Sequence, residues 1–254
     1  IAAGTGMANT AVTYLAPVLD TGFADSAAAV TGCFTNQLNA VAISNGRLYV
    51  SSVCESPRGP TGPVVVTGMP TNVANFKTQI HAVVSVVNIA TNTETESERV
   101  LLTKRFDDKY TMASLAAGDP ARRMPLIIND LQFVPGAQVM YATSYGSDAV
   151  FRVRFGMDGA VAEVGSAAAN FINLNPGGTT AAGRLPIGFA PSNSMRGLRA
   201  LVLNENSRNV SLLDLNTQAV AATAESHAAP AAGAATAANL GQRFFFTGLG
   251  RWSL

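Results

Sequence analysis

Three stretches of this chain align on one another, and that repeat constrains the fold more than any other feature. Tyr141-Ala142-Thr143-Ser144 is followed, across a five-residue spacer, by Val150-Phe151-Arg152-Val153-Arg154. Leu201-Val202-Leu203-Asn204 is followed in the same way by Val210-Ser211-Leu212-Leu213-Asp214. A further copy starts at Tyr49-Val50-Ser51-Ser52 and resumes, after an inserted segment, at Val84-Ser85-Val86-Val87-Asn88. Each copy reads as strand, polar turn, strand, and then a second turn at Thr91-Asn92-Thr93, Met157-Asp158-Gly159 or Asn216-Thr217-Gln218. Short strands repeating at this period indicate an all-β chain built as a β-propeller. Such a repeat defines architecture and leaves the reaction open.

Propellers use about four to eight blades. Three units are readable here, at 36–103, 126–174 and 185–225, with a candidate strand from Thr10 to Val18 as the remnant of a fourth. Three blades cannot close a ring without leaving strand edges bare. The expected fold is therefore an incomplete ring, unless residues 1–32 and the tail supply further structure; a missing stretch of sequence, an oligomer or a partner chain are the other ways to complete it. Domain organisation follows: a partial blade or extension over 1–32, propeller blades over 33–225, and an Ala-rich tether with an aromatic tail over 226–254. A short helix is expected from about Ala234 to Phe246. The segments from Glu55 to about Gln79 and from 104 to 124 read as insertions, the second of them polar. A strand is expected over Arg99 to Lys104.

With 48% hydrophobic residues among 254, a core is amply supplied. Charged residues make up only 13%, and 17 Lys and Arg stand against 16 Asp and Glu. No basic stripe marks a nucleic-acid surface. No run of about 18 apolar residues marks a membrane-spanning helix. The low charge fits a periplasmic or extracellular protein. The chain opens at Ile1-Ala2-Ala3-Gly4, as expected of a processed or truncated product.

Cys33 and Cys54 flank a hairpin whose turn is Asn45-Gly46, a dipeptide that favours tight reversal between apolar runs. With Ser44 opposite Arg47, Gln37 faces Cys54 and Cys33 lies four residues further out. A disulfide closing the hairpin mouth is expected; the alternative is two buried thiols. No metal site is expected, because His81 and His227 are far apart and lack a third ligand at a suitable spacing. His81 reads as a structural strand residue. Asp107, Asp108 and Asp119 lack the spacing of a calcium loop, and Arg122-Arg123 read as solvated loop charges, the lining of the propeller mouth or an acidic partner's docking site. Asn209-Val210-Ser211 is a glycosylation sequon that enters a strand. Gly4-x-Gly6 lacks the preceding strand of a dinucleotide fold. No catalytic constellation is evident, and whether the chain is an enzyme stays open.

The ordered set of motifs resembles a known family. Asn36-Gln37-Leu38 opens a hairpin ending in Tyr-Val, followed by Ser56-Pro57-x-Gly59-Pro60, the insertion, the Val-Val-Ser-Val-Val-Asn run, and Arg184-Leu185-Pro186-Ile187-Gly188. An Ala-rich segment and the Gly241-Gln242-Arg243-Phe244-Phe245-Phe246 … Gly250-Arg251-Trp252-Ser253 tail complete it. Over 36–254 this resembles bacterial YVTN-type propellers fused to, or partnered with, c-type cytochrome domains related to di-haem peroxidases. In that family the Gly-Arg-Trp-Ser tail shortly precedes the first Cys-x-x-Cys-His haem attachment site. No such motif occurs in these 254 residues. The resemblance therefore implies a propeller scaffold whose haems lie in a further segment or a partner, with no cofactor bound by this chain. Phe244, Phe245, Phe246, Arg251 and Trp252 are the expected interface with that cytochrome domain or subunit, unless the tail packs back on the propeller. His227 is a candidate haem ligand in trans. The other reading is a haem-free secreted propeller that binds a protein, peptide or glycan; a third is a dehydrogenase-type propeller subunit.

Overall fold

The computed structural model describes residues 12–24, 30–55, 61–66, 69–74, 80–115, 121–176, 182–194, 197–228, 230 and 232–246. They form three antiparallel sheets in chain order. The first contains β1 (Phe34–Ser44), β2 (Arg47–Glu55), β5 (Ile80–Asn88) and β6 (Thr93–Glu94), with β7 (Val100–Leu101) also paired to β5. The second runs β8 (Ile128–Phe133), β9 (Val139–Ser144), β10 (Ala149–Phe155) and β11 (Val161–Val164), with β12 (Ile172–Asn173) on β10. The third is a four-stranded meander of β13 (Pro186–Ser194), β14 (Gly197–Asn204), β15 (Asn209–Asp214) and β16 (Ala219–Glu225). The insertion between β2 and β5 carries its own hairpin, β3 (Thr61–Val66) with β4 (Met69–Ala74).

The repeat read in the sequence is the second and third strand of each sheet. Its opening residues occupy one register position: Tyr49 pairs with Val86, Tyr141 with Arg152 and Leu201 with Leu212. Side chains alternate across a strand, so Tyr49 and Tyr141 point to the following sheet. Tyr49 meets Phe133 and Phe155 at ring-centroid distances of 4.8 and 5.5 Å, and Tyr141 stacks on Phe189 at 5.1 Å. The first strands lie beside one another in succession, β1 against β8 and β8 against β13. Side-chain to main-chain bonds reinforce both seams: Ser51 Oγ donates to the Ile128 carbonyl at 3.0 Å, and Phe189 N donates to Asp130 Oδ2 at 2.7 Å. The result is mostly β and propeller-like. Among the described residues the three sheets do not close into a ring.

The cysteine hairpin differs from expectation in register. Ser44 does face Arg47, but three residues, 37–39, bulge opposite Ser52, so Thr35 rather than Gln37 faces Cys54. Gln37 takes a positive φ of 46°, and the Ala40 N–H that leaves the ladder donates to Ser51 Oγ at 3.0 Å. The bulge draws Cys33 two residues nearer its partner, and Cys33 and Cys54 form a disulfide with Cα atoms 5.4 Å apart.

Two other expectations are corrected. The strand expected over Arg99 to Lys104 is confined to Val100–Leu101, and the polar insertion begins as a helix, α1 (Leu102–Met112). Leu102, Phe106 and Tyr110 are buried at a spacing of four, one stripe of a helix. Phe106 packs edge-on against Phe151 at 4.7 Å, between the first two sheets. The charged residues filling the other faces hid this stripe from a reading by composition. At the N-terminus, described residues 12–17 form no strand; Val18 makes a single bridge to Cys33. This segment is held instead by the buried Arg99–Glu94 pair: Arg99 Nη2 donates to the Ala16 carbonyl at 3.0 Å, and Ala16 N donates to Glu94 Oε2 at 2.6 Å.

The disulfide spans a sequence separation of 21, and closing a loop of that length limits the unfolded chain. Replacing both cysteines by serine should lower stability by about 3 kcal/mol, read as an earlier urea midpoint; an unchanged midpoint would show that the hairpin alone holds this edge.

Candidate docking surface on the C-terminal helix

The helix α2 (Ala234–Phe246) coincides with the stretch expected to be helical. Gly233, at φ +94°, turns the chain into it. Ala-rich sequence favours helix but gives little apolar area to bury, and none of its residues is fully buried. Its attachment is therefore local and largely polar. Asn239, Gln242 and Phe246 share one face at helical spacing. Asn206 Nδ2, from the β14–β15 turn, donates to the Asn239 carbonyl at 2.7 Å and to Gln242 Oε1 at 3.3 Å. Asn239 Nδ2 returns a bond to the Asn206 carbonyl at 3.0 Å. Phe246 meets the Tyr145 ring edge-on at 5.2 Å. Gly146 permits this approach: a Cβ there would stand 3.2 Å from the Phe246 carbonyl oxygen and 3.0 Å from Leu126 Cβ.

The solvent side of the same helix is apolar. Leu240 and Phe244, one turn apart, are 46% and 67% exposed, and Phe245 is 82% exposed. Phe245 and Phe246 contact each other edge-on at 5.0 Å. Of the expected tail interface, the structure thus splits the three phenylalanines: Phe246 turns back onto the sheets, whereas Phe244 and Phe245 face outward. Arg251 and Trp252 lie outside the described residues.

Beneath α2 is a polar knot built on the β9–β10 turn. Asp148 is fully buried in the left-handed region at φ 47°. Its carboxylate accepts from Leu185 N at 2.8 Å and from Asn175 Nδ2 at 3.1 Å. Arg123 donates to the carbonyls of Ser147 and Asp148, both at 3.0 Å, with its guanidinium over the Phe171 ring. Burial lowers the Arg123 pKa, and the Asp148 charge opposes that fall. Burial also lowers Arg184, reinforced by the like charge of Arg243 on α2. The Tyr145 hydroxyl donates to Glu205 Oε2 at 2.7 Å. Desolvation first, and then the Glu205 bond and charge, push its pKa up to about 12. These groups seat the helix through turns of the second and third sheets.

The remaining candidates fall elsewhere. His227 is exposed at the bend after β16, its main-chain N–H donating to the Arg208 carbonyl at 3.3 Å. His81 is buried in β5 and stacks on Phe23 at 5.3 Å. Asp107 pairs with Arg122 at 2.6 Å and Asp108 with Lys104, so both carboxylates serve α1; Asp119 lies outside the described residues. Asn209 is buried, its amide accepting from Asn204 and Ser207 and donating to Ala182, which leaves no room for a glycan. Gly4 and Gly6 are outside the described residues. No group of three or more His, Cys, Asp or Glu among the described residues could hold a metal ion. None of the described helices is long and apolar enough to cross a membrane.

No protein-family model and no curated protein matches this chain. Among solved structures it is similar to a luciferin-regenerating enzyme, at 11% identity and a TM-score of 0.40, over 76% of this chain and 45% of that one. An auxiliary nutrient-binding protein from Bacteroides ovatus aligns at 15% identity and a TM-score of 0.38, over 77% of this chain and 48% of that one. The dihydro-haem d1 dehydrogenase NirN aligns at 11% identity and a TM-score of 0.31, over 85% of this chain and 41% of that one. The chain spans less than half the length of each. At these scores the likenesses carry no argument about activity or family.

The Tyr145 phenol, raised from 10.0 to about 12, keeps its proton in the folded state where the unfolded chain has lost it. Its contribution to stability is full below pH 10 and is lost as the pH rises toward about 12. A Tyr145→Phe variant should therefore lose stability less steeply across that window, measured by denaturant melts at stepped pH.

Proposed function

We propose that this chain is the propeller scaffold of an extracytoplasmic c-type cytochrome or redox complex. It docks and orients a haem-bearing domain or subunit, and the haems that carry electrons lie outside this segment. The observation that carries this reading is the two-sided C-terminal helix: one side is pinned by Asn206 and Tyr145, and the other presents Leu240, Phe244 and Phe245 to solvent. Large aromatic groups on a fixed support are what a protein interface uses as anchors. The motif order resembling YVTN-type cytochrome proteins is the reason for choosing a cytochrome as the partner. The disulfide supports a periplasmic or extracellular location.

His227 stands exposed at the start of the tether leading into that helix. An axial histidine would be supplied in trans from this position.

A haem-free binding propeller is the second reading. It is favoured by a cavity of about 580 Å³ between α1 and the edge strand β11, lined by Arg105, Asp108, Lys109, Met112 and Glu163 among others. Mixed charge beside the exposed Met112 suits a peptide or glycan.

A reduced-minus-oxidised visible spectrum of the natively purified protein separates the two. Co-purifying c-type haem is expected, and a flat spectrum from intact material would sink the cytochrome reading. Phe244→Ala with Phe245→Ala should weaken retention of the haem partner by at least about tenfold, while the near-ultraviolet circular dichroism of the sheets stays unchanged.

A further inference from the structure

Each end sheet has one broad face that no other sheet covers among the described residues, and the register shows how the two bare faces correspond. Leu201 occupies the position of Tyr49 and Tyr141. Those tyrosines are buried against the next sheet, whereas Leu201 is 48% exposed and Leu203 on the same face is 51% exposed. Their cross-strand partners Leu212 and Val210 extend this apolar face. At the other end, the residues that receive the tyrosines are Phe133, paired with Met140, and Phe189, paired with Val202. The matching positions on the first sheet are Ile43, paired with Leu48, and Val41, paired with Val50. Ile43 is 69% and Val41 is 61% exposed.

We propose that a second copy of this chain covers both faces at once, the last sheet of each copy packing on the first sheet of the other to close a six-bladed ring about a two-fold axis. Leu201 of one copy then meets Val41 and Ile43 of its partner. The inference rests on reading the three sheets as blades and is independent of the cytochrome reading.

The bare faces are matched to each other by the same register that builds the two internal seams. Head-to-tail association therefore repeats an interface the fold already makes twice. Such a contact closes only at a fixed number of copies. Propellers have about four to eight blades; two copies of three blades give six, and three copies give nine. The formal net charge of +1 sets little repulsion between copies. The described part of the N-terminal segment flanks this face through Thr13 and Leu15 and leaves Val41 and Ile43 largely exposed. It is tied to the β5–β6 hairpin through Thr13 Oγ1 to the Asn92 carbonyl at 2.9 Å and through Glu94. Between it and the sheet lies an open cleft of about 430 Å³, lined by Leu15, Leu38, Ile43, Leu48 and Val87 among others.

Light scattering on the eluted 254-residue chain at micromolar concentration should give twice its mass of 26.2 kDa. A monomer, as expected if other blades or another protein cover these faces, or an open series of larger species, would overturn the proposal. Leu201→Glu places a charge against apolar side chains and should weaken the dimer at least about a hundredfold. Because that variant can also unfold, a second pair keeps the test sharp. Co-expressed Val41→Cys and Leu201→Cys chains should cross-link on mild oxidation, whereas neither should do so alone. A dimer without that cross-link would refute the proposed seam. Haem content is unaffected by these outcomes, so failure here leaves the cytochrome reading standing on its own spectrum.

Discussion

Tyr49 against Phe133 and Phe155, and Tyr141 against Phe189, are the contacts on which the arrangement of sheets depends. Each of the three sheets is apolar on both faces, so no one of them can stand alone in water. Burying one large apolar side chain is worth about 1.5–3 kcal/mol, and each seam gathers several. Stacking the sheets is thus the condition for their existence. The direction of stacking follows from alternation along the strands, which sends the opening tyrosine of one repeat toward the next sheet and its neighbour, Val50 or Ala142, the other way.

Polar groups then decide where each sheet sits. Ser51 reaches the Ile128 carbonyl and Asp130 receives the Phe189 N–H, so each seam carries a hydrogen bond from one sheet to the next. Asp148 gathers the β9–β10 turn, the segment entering the third sheet and, with Arg123, the chain preceding β8. A buried carboxylate is costly unless its lone pairs are used, which makes this knot selective for one arrangement. The C-terminal helix rests on the same turns through Tyr145 and Asn206. Its outward phenylalanines are therefore held by the scaffold and are not a loose end.

Much of the fold was legible from the chain. The repeat located the second and third strands of every sheet because Val, Tyr and Leu alternate there with small or polar residues. Asn45-Gly46 located the hairpin between the cysteines. The helix α1 was not legible in the same way: Leu102, Phe106 and Tyr110 are sparse among Lys104, Arg105, Asp107, Asp108 and Lys109, and a stripe of three is easily read as a polar loop. The bulge opposite Ser52 was also invisible, since nothing in Asn36 to Asn39 announces a positive φ at Gln37. At the candidate site, the aromatic cluster could be read, but Tyr145, Asn206 and Gly146 could not, because each lies in a turn far along the chain from the helix it receives.

Sequence alone determined that the chain is built of repeated β-meander units, that an Ala-rich helix ends in aromatic residues, and that two cysteines lie at a hairpin mouth. These are local properties, written in alternation, propensity and turn chemistry within a few residues. Only the tertiary structure decided which face of each sheet is covered, that Phe246 is docked while Phe244 and Phe245 are bare, and that Cys33 reaches Cys54 through a shifted register. Those outcomes depend on contacts between residues distant in the chain, where packing geometry selects among partners that the local pattern leaves equivalent.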